Sequence, residues 1–358
     1  MTQNIMRLSN PSSKSRYASD LPNDTVYYNI SIVNNNSYKI PATFNQIQTY
    51  PIIDNPSDYY LAVIRFSIPG GAIPIITKFD ETQYFVTITF GVDSQVQLVY
   101  DPVSIFDGDN NVYSYNQLCV MINTALSTAF TNLQGMVSLP PGVTEAPFMK
   151  YNNSNYTYAL YCQTSYETNN VEIYFNINLY KFFDNFYVTE TGQKSITNKD
   201  YKFNIVDLHN NMITSDPNNS NISSTNPYYI FDQEYSTLYN INNAQNITFK
   251  SCLFHTSSEY SPSSVNQVPS NEKILIDFEP LVSFNDPSAF RGILQYYPQG
   301  VYRLITMTCN EPLRNIDLQL SYKTKLNQVY PLFVPKNSSI SVKLAFIRKC
   351  LYKSTYEH

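Results

Sequence analysis

Two stretches decide the fold of this chain: Ile316-Asp317-Leu318-Gln319-Leu320-Ser321-Tyr322 and Ile340-Ser341-Val342-Lys343-Leu344-Ala345-Phe346. In both, large apolar residues alternate with polar or small ones. Successive side chains of a strand point to opposite faces, so each stretch is predicted to be a strand with one buried and one polar face. We expect this strand pair to form the closing edge of a β-sheet.

The composition favours strands and a surface with few charges. Charged residues make up 14 % of the 358 positions, and hydrophobic residues make up 43 %. The charged share of an average soluble domain is roughly 25 %. The chain has 32 Tyr, 21 Phe and no Trp; aromatic residues favour strands, and Tyr is enriched at protein–protein interfaces. Such a surface is typical of a chain that neighbouring proteins cover, although codon bias in an AT-rich genome would also raise the Tyr and Asn content.

The charge balance argues against a general nucleic-acid-binding role. A net charge of −5 provides no overall basic field. Basic residues do cluster near the end of the sequence, at Lys343, Arg348, Lys349 and Lys353. A solvated sheet edge that Lys protects against aggregation would explain this cluster. Contact with an acidic neighbour or with a packaged genome is the alternative.

The first hundred residues predict an arm, two strands and one hairpin. Residues 1 to 24 are rich in Ser, Asn and Pro and should form a flexible arm. Residues 26 to 33 predict a strand with its apolar residues on one face. Residues 58 to 68 are apolar on both faces and predict a central strand. Residues 82 to 90 and 95 to 100 alternate on either side of a short turn and predict a hairpin.

One helix is strongly indicated between Ser114 and Gly135. Ser114 is a good N-cap, Gln117 follows at the capping-box spacing, and Gly135 is placed as a stop. The apolar positions recur at helical spacing, so this helix should pack on a sheet. Residues 207 to 228 are rich in Asn, Ser and Pro and predict a long surface loop. Together with about ten to thirteen short strands, this pattern is typical of a sandwich or jelly roll.

The sequence carries no motif for catalysis, nucleotide binding or metal binding. His209, His255 and His358 lack the spacing of a zinc hydrolase, and the five Cys are predicted to be buried free thiols. Asp107 and Asp109 lack the Gly and closing Glu of a calcium loop, so a solvated loop is expected. Neither a signal peptide nor an apolar run of membrane-spanning length occurs, so we expect neither secretion nor membrane insertion.

Five segments carry a resemblance to a known family. They lie at residues 58 to 69, 113 to 129, 233 to 238, 295 to 304 and 311 to 349, beginning with Asp58-Tyr59-Tyr60-Leu61 and including Glu311-Pro312-Leu313-Arg314. Their order resembles the penton, or minor capsid, proteins of virophages and Polinton-like viruses. The likeness covers most of residues 55 to 350. The chain departs from the family at Tyr322, where a Trp is expected, and in the turn at 325 to 328, where a Gly is expected.

The resemblance implies an all-β fold. It consists of a single jelly roll, which is a β-sandwich, with an inserted, mostly β second domain and one clear helix. The predicted boundaries are 1–24 for the flexible N-terminal arm, 25–100 and 256–358 for the jelly-roll domain, and 101–255 for the insertion domain.

The resemblance also implies a structural capsid protein without cofactor or metal. It would form a homopentameric penton at the icosahedral five-fold vertices of a virion. Its partners would be itself and trimers of a double jelly-roll major capsid protein, with other minor capsid proteins or a vertex spike as further neighbours. Nucleic acid would be reached only through the basic arm or tail. The candidate assembly contacts are Arg7, Lys14, Arg16, Arg314, Arg348 and Lys349.

Three other functions stay open at this point. A receptor- or glycan-binding β-sandwich, such as a spike or fibre domain, would use exposed Tyr side chains to stack on sugars. An internal minor protein would cement the shell. An enzyme on a β scaffold would need a deep pocket with convergent His and carboxylate groups.

Overall fold

The computed structural model describes most of the chain. The described residues are 25–102, 110–191, 198–205, 212–216, 219–237, 241, 244–261, 270–279, 293–296, 303–325 and 328–350. The predicted arm, the two Asp of the weak calcium-like loop, His209 and His358 lie outside them.

The described residues form short strands and one long helix. In chain order the elements are β1 (Val26–Asn34), β2 (Ile40–Pro41), β3 (Thr43–Ile47), β4 (Tyr59–Pro69), β5 (Phe85–Phe90), β6 (Val92–Gln97), α1 (Tyr115–Met136), β7 (Phe148–Asn152), β8 (Thr157–Gln163), α2 (Ser165–Thr168), β9 (Glu172–Phe175), α3 (Ile177–Tyr180), β10 (Val188–Glu190), β11 (Tyr201–Phe203), β12 (Met212–Asp216), β13 (Asn219–Asp232), β14 (Ala244–Lys250), β15 (Glu259–Ser261), β16 (Ser270–Glu272), β17 (Ile274–Phe278), β18 (Ile293–Tyr296), β19 (Ile305–Thr306), β20 (Asn315–Thr324), β21 (Val329–Pro331), β22 (Phe333–Val334) and β23 (Ser338–Arg348).

The chain divides into two compact units. The first unit is Met1–Ile73 together with Ala244–His358, and the second unit is Pro74–Asn243. These bounds differ from those predicted for an insertion at 101–255. The hairpin β5–β6 lies in the second unit because β5 pairs with β9, and because β5 and β6 pack against α1. β14 lies in the first unit because it pairs with β17 and β20.

The first unit is a jelly roll. Its first sheet has the strand order β1-β23-β4-β18, and its second has the order β17-β14-β20, with β3 and β21 both paired to β20. Eight described strands of this unit have four or more residues: β1, β3, β4, β14, β17, β18, β20 and β23. If they are numbered one to eight along the chain, the first sheet has the order 1-8-3-6 and the second has the order 5-4-7-2. This alternation between two sheets is the double Greek key that defines a jelly roll, and the predicted fold class is confirmed.

The two stretches that alternate in the sequence are central strands of facing sheets. β23 pairs with β1 on one side and with β4 on the other, and β20 pairs with β14 and β3. The prediction of a closing sheet edge is therefore wrong, and so is the explanation of Lys343 as an edge-protecting residue. Period-2 alternation reports which face is buried, but it contains no information on how many neighbours a strand has.

The apolar faces of the two strands meet in one core. Each side chain there contributes about 1.5–3 kcal/mol when fully removed from water. Tyr322, where the family pattern leads one to expect Trp, is buried, and its ring centroid lies 5.7 Å from that of Tyr330. The core members from β20 and β23 are Ile316, Leu318, Leu320, Tyr322, Ile340, Val342, Leu344 and Phe346.

Asp317 breaks the simple alternation of β20. Its predicted position is on the polar face, yet only 6 % of the residue is exposed. Its carboxylate accepts hydrogen bonds from the backbone N–H of Cys252 at 2.8 Å and of Leu253 at 3.1 Å, and from the Ser251 hydroxyl. These bonds hold the turn that follows β14, and one of them gives the hydroxyl of the buried Ser251 an acceptor.

The second unit contains α1 and two described sheets, with the strand orders β10-β11-β9-β5-β6 and β12-β13-β8-β7. α1 packs against β5, β6 and β7 through a face that includes all the predicted apolar positions. Within the described residues, no helix has the length and hydropathy needed to cross a membrane.

The helix ends differ slightly from the prediction. Ser114 is the N-cap, and its hydroxyl accepts a hydrogen bond from the Asn116 N–H at 3.2 Å. The Gln117 side chain accepts from the Tyr113 N–H, one residue earlier than a capping box requires. Gly135 lies inside the helix, which ends at Met136.

The prediction of a surface loop at residues 207 to 228 is wrong. The described residues of this segment belong to β12 and β13, which pair with each other, and β13 also pairs with β8. Its polar side chains do not prevent strand formation, since the backbone supplies the pairing bonds. Asn does replace Gly in turns: among the described residues, it accounts for four of the six non-Gly positions with positive φ, namely Asn110, Asn170, Asn198 and Asn337.

We predict that Asp317→Ala lowers the free energy of unfolding by about 2–3 kcal/mol, since it removes the acceptor of the buried Ser251 hydroxyl and of the Cys252 N–H. The matched control is Asp277→Ala, which removes an exposed carboxylate bonded to Arg303 and Asn246 and should cost less than about 1 kcal/mol. Urea denaturation followed by far-UV circular dichroism measures both. Equal losses for the two variants would contradict this role of Asp317.

Candidate assembly surface

The described residues present no catalytic or metal-binding cluster. Within them, no group of three or more His, Cys, Asp or Glu side chains could hold a metal ion. His255 is exposed, and its backbone oxygen accepts a hydrogen bond from the Thr308 N–H. The features of interest are therefore the exposed surfaces that could contact other proteins.

The five thiols are free, but not all are buried. Cys119 and Cys162 are buried, whereas Cys252 and Cys350 are exposed and Cys309 is half-buried. Burial raises the pKa of the Cys119 thiol to about 12, and it also raises that of the Cys162 thiol. Both groups stay protonated at neutral pH and do not act as nucleophiles. The prediction of buried thiols is wrong for the other three, which lie on loops or at the end of β23.

The predicted assembly residues occupy different places. Arg7, Lys14 and Arg16 lie outside the described residues. Arg314 is exposed immediately before β20, and Arg348 is exposed at the end of β23. Arg314 thus precedes a strand of one sheet, and Arg348 ends a strand of the other.

Lys349 is engaged within the first unit. Its ammonium group donates hydrogen bonds to the backbone oxygens of Ser57 at 2.5 Å and Met307 at 3.2 Å. It also lies 5.5 Å from the centroid of the Tyr60 ring. Such bonds tie the end of β23 to the start of β4, so Lys349 contributes to the stability of the unit.

An open cleft of about 440 Å³ lies in the first unit, at the start of β20. Backbone hydrogen bonds position one wall: the Gln48 N–H donates to the Arg314 oxygen at 2.9 Å, and the Ile52 N–H donates to the Leu313 oxygen at 2.8 Å. The turn held by Asp317 supplies the Leu253 wall. The lining residues are Ile47, Gln48, Thr49, Pro56, Leu253, His255, Met307, Cys309, Glu311, Pro312, Leu313, Arg314 and Asn315.

Large apolar side chains stand exposed at this cleft and next to it. Ile47 is 73 % exposed, Leu253 is 37 % exposed, and Tyr50, three residues beyond Ile47, is 82 % exposed. Tyr and Arg are the side chains that most often dominate protein–protein binding energies, and here Arg314 lies beside the apolar group. We define Ile47, Tyr50, Leu253 and Arg314 as the candidate assembly surface.

Sequence reasoning found only Arg314 among these four residues. β3 was not predicted, because its five residues are too few for periodicity to be secure. The alternation within β3 does indicate the exposed position of Ile47. Phe44 and Gln46 occupy the half-buried positions of β3, so Ile47 places an apolar side chain on the opposite, exposed face. Apolar residues at solvent-facing strand positions are a mark of interfaces.

Comparison with known proteins identifies the relatives of this chain. The sequence profile of one family, described as Sputnik minor capsid protein V18/19, matches residues 26–348. "Structural protein V19" of Sputnik virophage is 32 % identical over 211 residues, covering 57 % of this chain and 94 % of that protein. "Uncharacterized protein V18" of the same virophage is 34 % identical over 157 residues, covering 35 % of this chain and 90 % of V18.

Two solved structures share the fold. A chain of the Sputnik virophage structure, determined by cryo-electron microscopy, superposes with a TM-score of 0.73 at 32 % identity, covering 92 % of this chain and 99 % of that chain. The crystal structure of the mavirus penton protein superposes with a TM-score of 0.63 at 16 % identity, covering 90 % and 99 %. At this lower identity the likeness shows the fold alone.

We predict that Lys349→Met lowers the free energy of unfolding by about 1.5–3 kcal/mol, because it removes charge-assisted hydrogen bonds to two carbonyl groups. Arg314→Met is the matched control. It shortens an exposed cationic side chain and should change stability by less than about 0.5 kcal/mol. Thermal unfolding of the two variants separates these effects, and an unchanged melting temperature for Lys349→Met would show that its bonds carry no stability.

Proposed function

This chain belongs to the family of the Sputnik minor capsid protein V18/19, and from that premise we propose that it forms a homopentameric penton at the five-fold vertices of a virophage shell. It is a minor capsid protein, a structural component of a virion and not an enzyme. The proposal concerns its copy number, its position and its neighbours.

The observation that carries the proposal is the family match along 26–348 combined with the single jelly-roll topology of the first unit. The mavirus protein that superposes over nearly its full length is called a penton protein. A penton is by definition a vertex component. The fold that the present chain shares with it is compatible with that position.

The candidate assembly surface supports self-association. A ring of five needs a heterologous interface, in which one patch of a subunit meets a different patch of the next, and closes only if the rotation between subunits is correct. Exposed Tyr50 and Ile47 beside Arg314 provide one such patch. We expect each subunit interface to bury more than about 2,000 Å² in total, as obligate complexes do.

We further propose that neighbouring trimers of a major capsid protein contact the ring. Arg348, at the exposed end of β23, remains a candidate residue for that contact. Arg7, Lys14 and Arg16 remain candidates from the segment before β1. The weakly charged composition fits a subunit that is covered on several sides after assembly.

The oligomeric state tests the pentamer directly. Native mass spectrometry of the purified full chain should give five times the 41.2 kDa of one subunit, and negative-stain images should show five-fold rings. A monomer at high concentration that is also missing from the vertices of imaged particles would refute the proposal. Density on the shell interior would indicate a cement protein instead, and density at the tip of a vertex spike would indicate a receptor-binding role.

We predict that the double variant Ile47→Asp/Tyr50→Asp weakens subunit association at least tenfold, because desolvating two carboxylates opposes burial of that surface. The matched control is Tyr187→Asp in the second unit, which also replaces an exposed large side chain (56 % exposed) by a carboxylate. Sedimentation equilibrium measures both association constants. Equal association constants for the two variants would show that this surface is not part of the pentamer interface. The native mass of the unchanged chain would still test whether a pentamer forms.

A further inference from the structure

The first sheet of the jelly roll carries only positive charges. Its described strands β1, β4, β18, β19 and β23 contain no Asp or Glu, and their charged residues are Arg65, Lys343 and Arg348. Near the other sheet, two cations are compensated: Lys250 lies 2.7 Å from Glu272, and Arg303 contacts Asp277 and Glu259. The described strands of the first sheet offer no carboxylate of their own for such a pair.

A β-bulge in β4 determines where Arg65 points. Leu61 and Val63 face the core, so strict alternation would turn the next odd-numbered residue, Arg65, inward as well. The pairing with β23 shifts register at this point, because Lys343 opposes Arg65 whereas Leu344 opposes Val63. Ile64 is the extra residue, and beyond it Phe66 and Ile68 return to the core. The bulge thus places an exposed guanidinium group on the outer face.

This placement sets two like charges side by side. Arg65 and Lys343 are direct cross-strand partners, an arrangement that destabilises a sheet. Lys343 lies 4.6 Å from the centroid of the Tyr27 ring, which attracts a cation without neutralising it. Within the part of the chain that the structure describes, neither cation forms an ion pair.

The surroundings of the pair are uncharged, and on one side they are small. Asn29 flanks Lys343 on β1, and the next register row is Ser31, Ser341 and Ser67. On the other side, Ala345 is paired with Ala62, and both are fully buried in a cluster against which Tyr27 and Ile64 pack. On the Ser side, the short side chains allow another protein surface to approach closely, and the hydroxyl and amide groups can bond to it.

We propose that this outer face docks an acidic protein surface, with an Asp or Glu carboxylate of the partner seated between Arg65 and Lys343. The carboxylate would convert a repulsive pair into a bridged triad, so binding gains both the attraction and the relief of the repulsion. The partner is a capsid neighbour that presents a carboxylate on a flat, otherwise polar surface. This inference rests on the capsid role of the chain, and it does not require five-fold symmetry.

The observations favour protein over nucleic acid as the occupant. A polynucleotide needs several phosphate contacts along its backbone, and this face offers two adjacent cations on a chain with a net charge of −5. A single carboxylate matches two adjacent cations, and the row of Ser side chains beside them matches the close approach of a protein surface.

Chemical protection of Lys343 tests the inference in assembled particles. Acetylation by an amine-reactive ester should modify Lys343 at least tenfold more slowly in particles than in the purified chain. Zero-length carbodiimide coupling should join Lys343 to an Asp or Glu, and mass spectrometry of the linked peptide identifies the protein that carries it. Unchanged acetylation, or formaldehyde coupling of Lys343 to the genome without any carboxylate link, would overturn the proposal.

Variants separate docking from folding and from ring formation. Arg65→Glu/Lys343→Glu should lower incorporation into particles at least tenfold, whereas Lys336→Glu, an exposed cation on the turn before β23, should leave it unchanged. Arg65→Gln and Lys343→Gln should keep or raise the melting temperature, because each removes one member of a repulsive pair, and still reduce incorporation. Normal incorporation of the double Glu variant would refute the docking site. Its native mass reports separately on the pentamer, so failure of one proposal is distinguishable from failure of the other.

Discussion

The placement of β23 between β1 and β4 is the constraint on which the first unit depends. Val342 pairs with Ile30 on one side and with Phe66 on the other, so one strand supplies hydrogen bonds to two strands that do not pair with each other. The inward side chains of β23 meet those of β20 across a single apolar core. Without this strand, β1 and β4 would each lose a neighbour, and the face of β20 would lose its cover.

Much of this arrangement follows from local patterns, and the rest depends on partners that are distant in sequence. Alternation correctly identifies the buried faces of β1, β20 and β23, and amphipathic spacing correctly identifies α1. It does not reveal that β20 and β23 lie in different sheets, since that depends on which strands pair with them. The strand β13 is missed for the same reason, because pairing with β8 decides its state and its polar composition does not.

The candidate surfaces show the same limit at the level of single residues. Asp317 has the position of a solvent-facing residue, but the turn after β14 needs its carboxylate as an acceptor. Arg65 would be assigned to the core by parity, and only the register shift against β23 moves it outward. In this chain, the two charged residues that deviate from the inside–outside alternation of their strands have identifiable roles: Asp317 organises a loop, and Arg65 contributes to a surface.

The long sequence separation of paired strands has a consequence for synthesis on the ribosome. The described strands of the second unit are contiguous in sequence and can pair soon after they emerge. β1 and β4 must wait for β23, which is translated about 300 residues after β1, and non-local pairings of this kind form late. Arg65 and Lys343 become neighbours only at that moment. A chain that ends before β23 lacks Lys343, so under the docking proposal it could not present the paired cations to a neighbour in the shell.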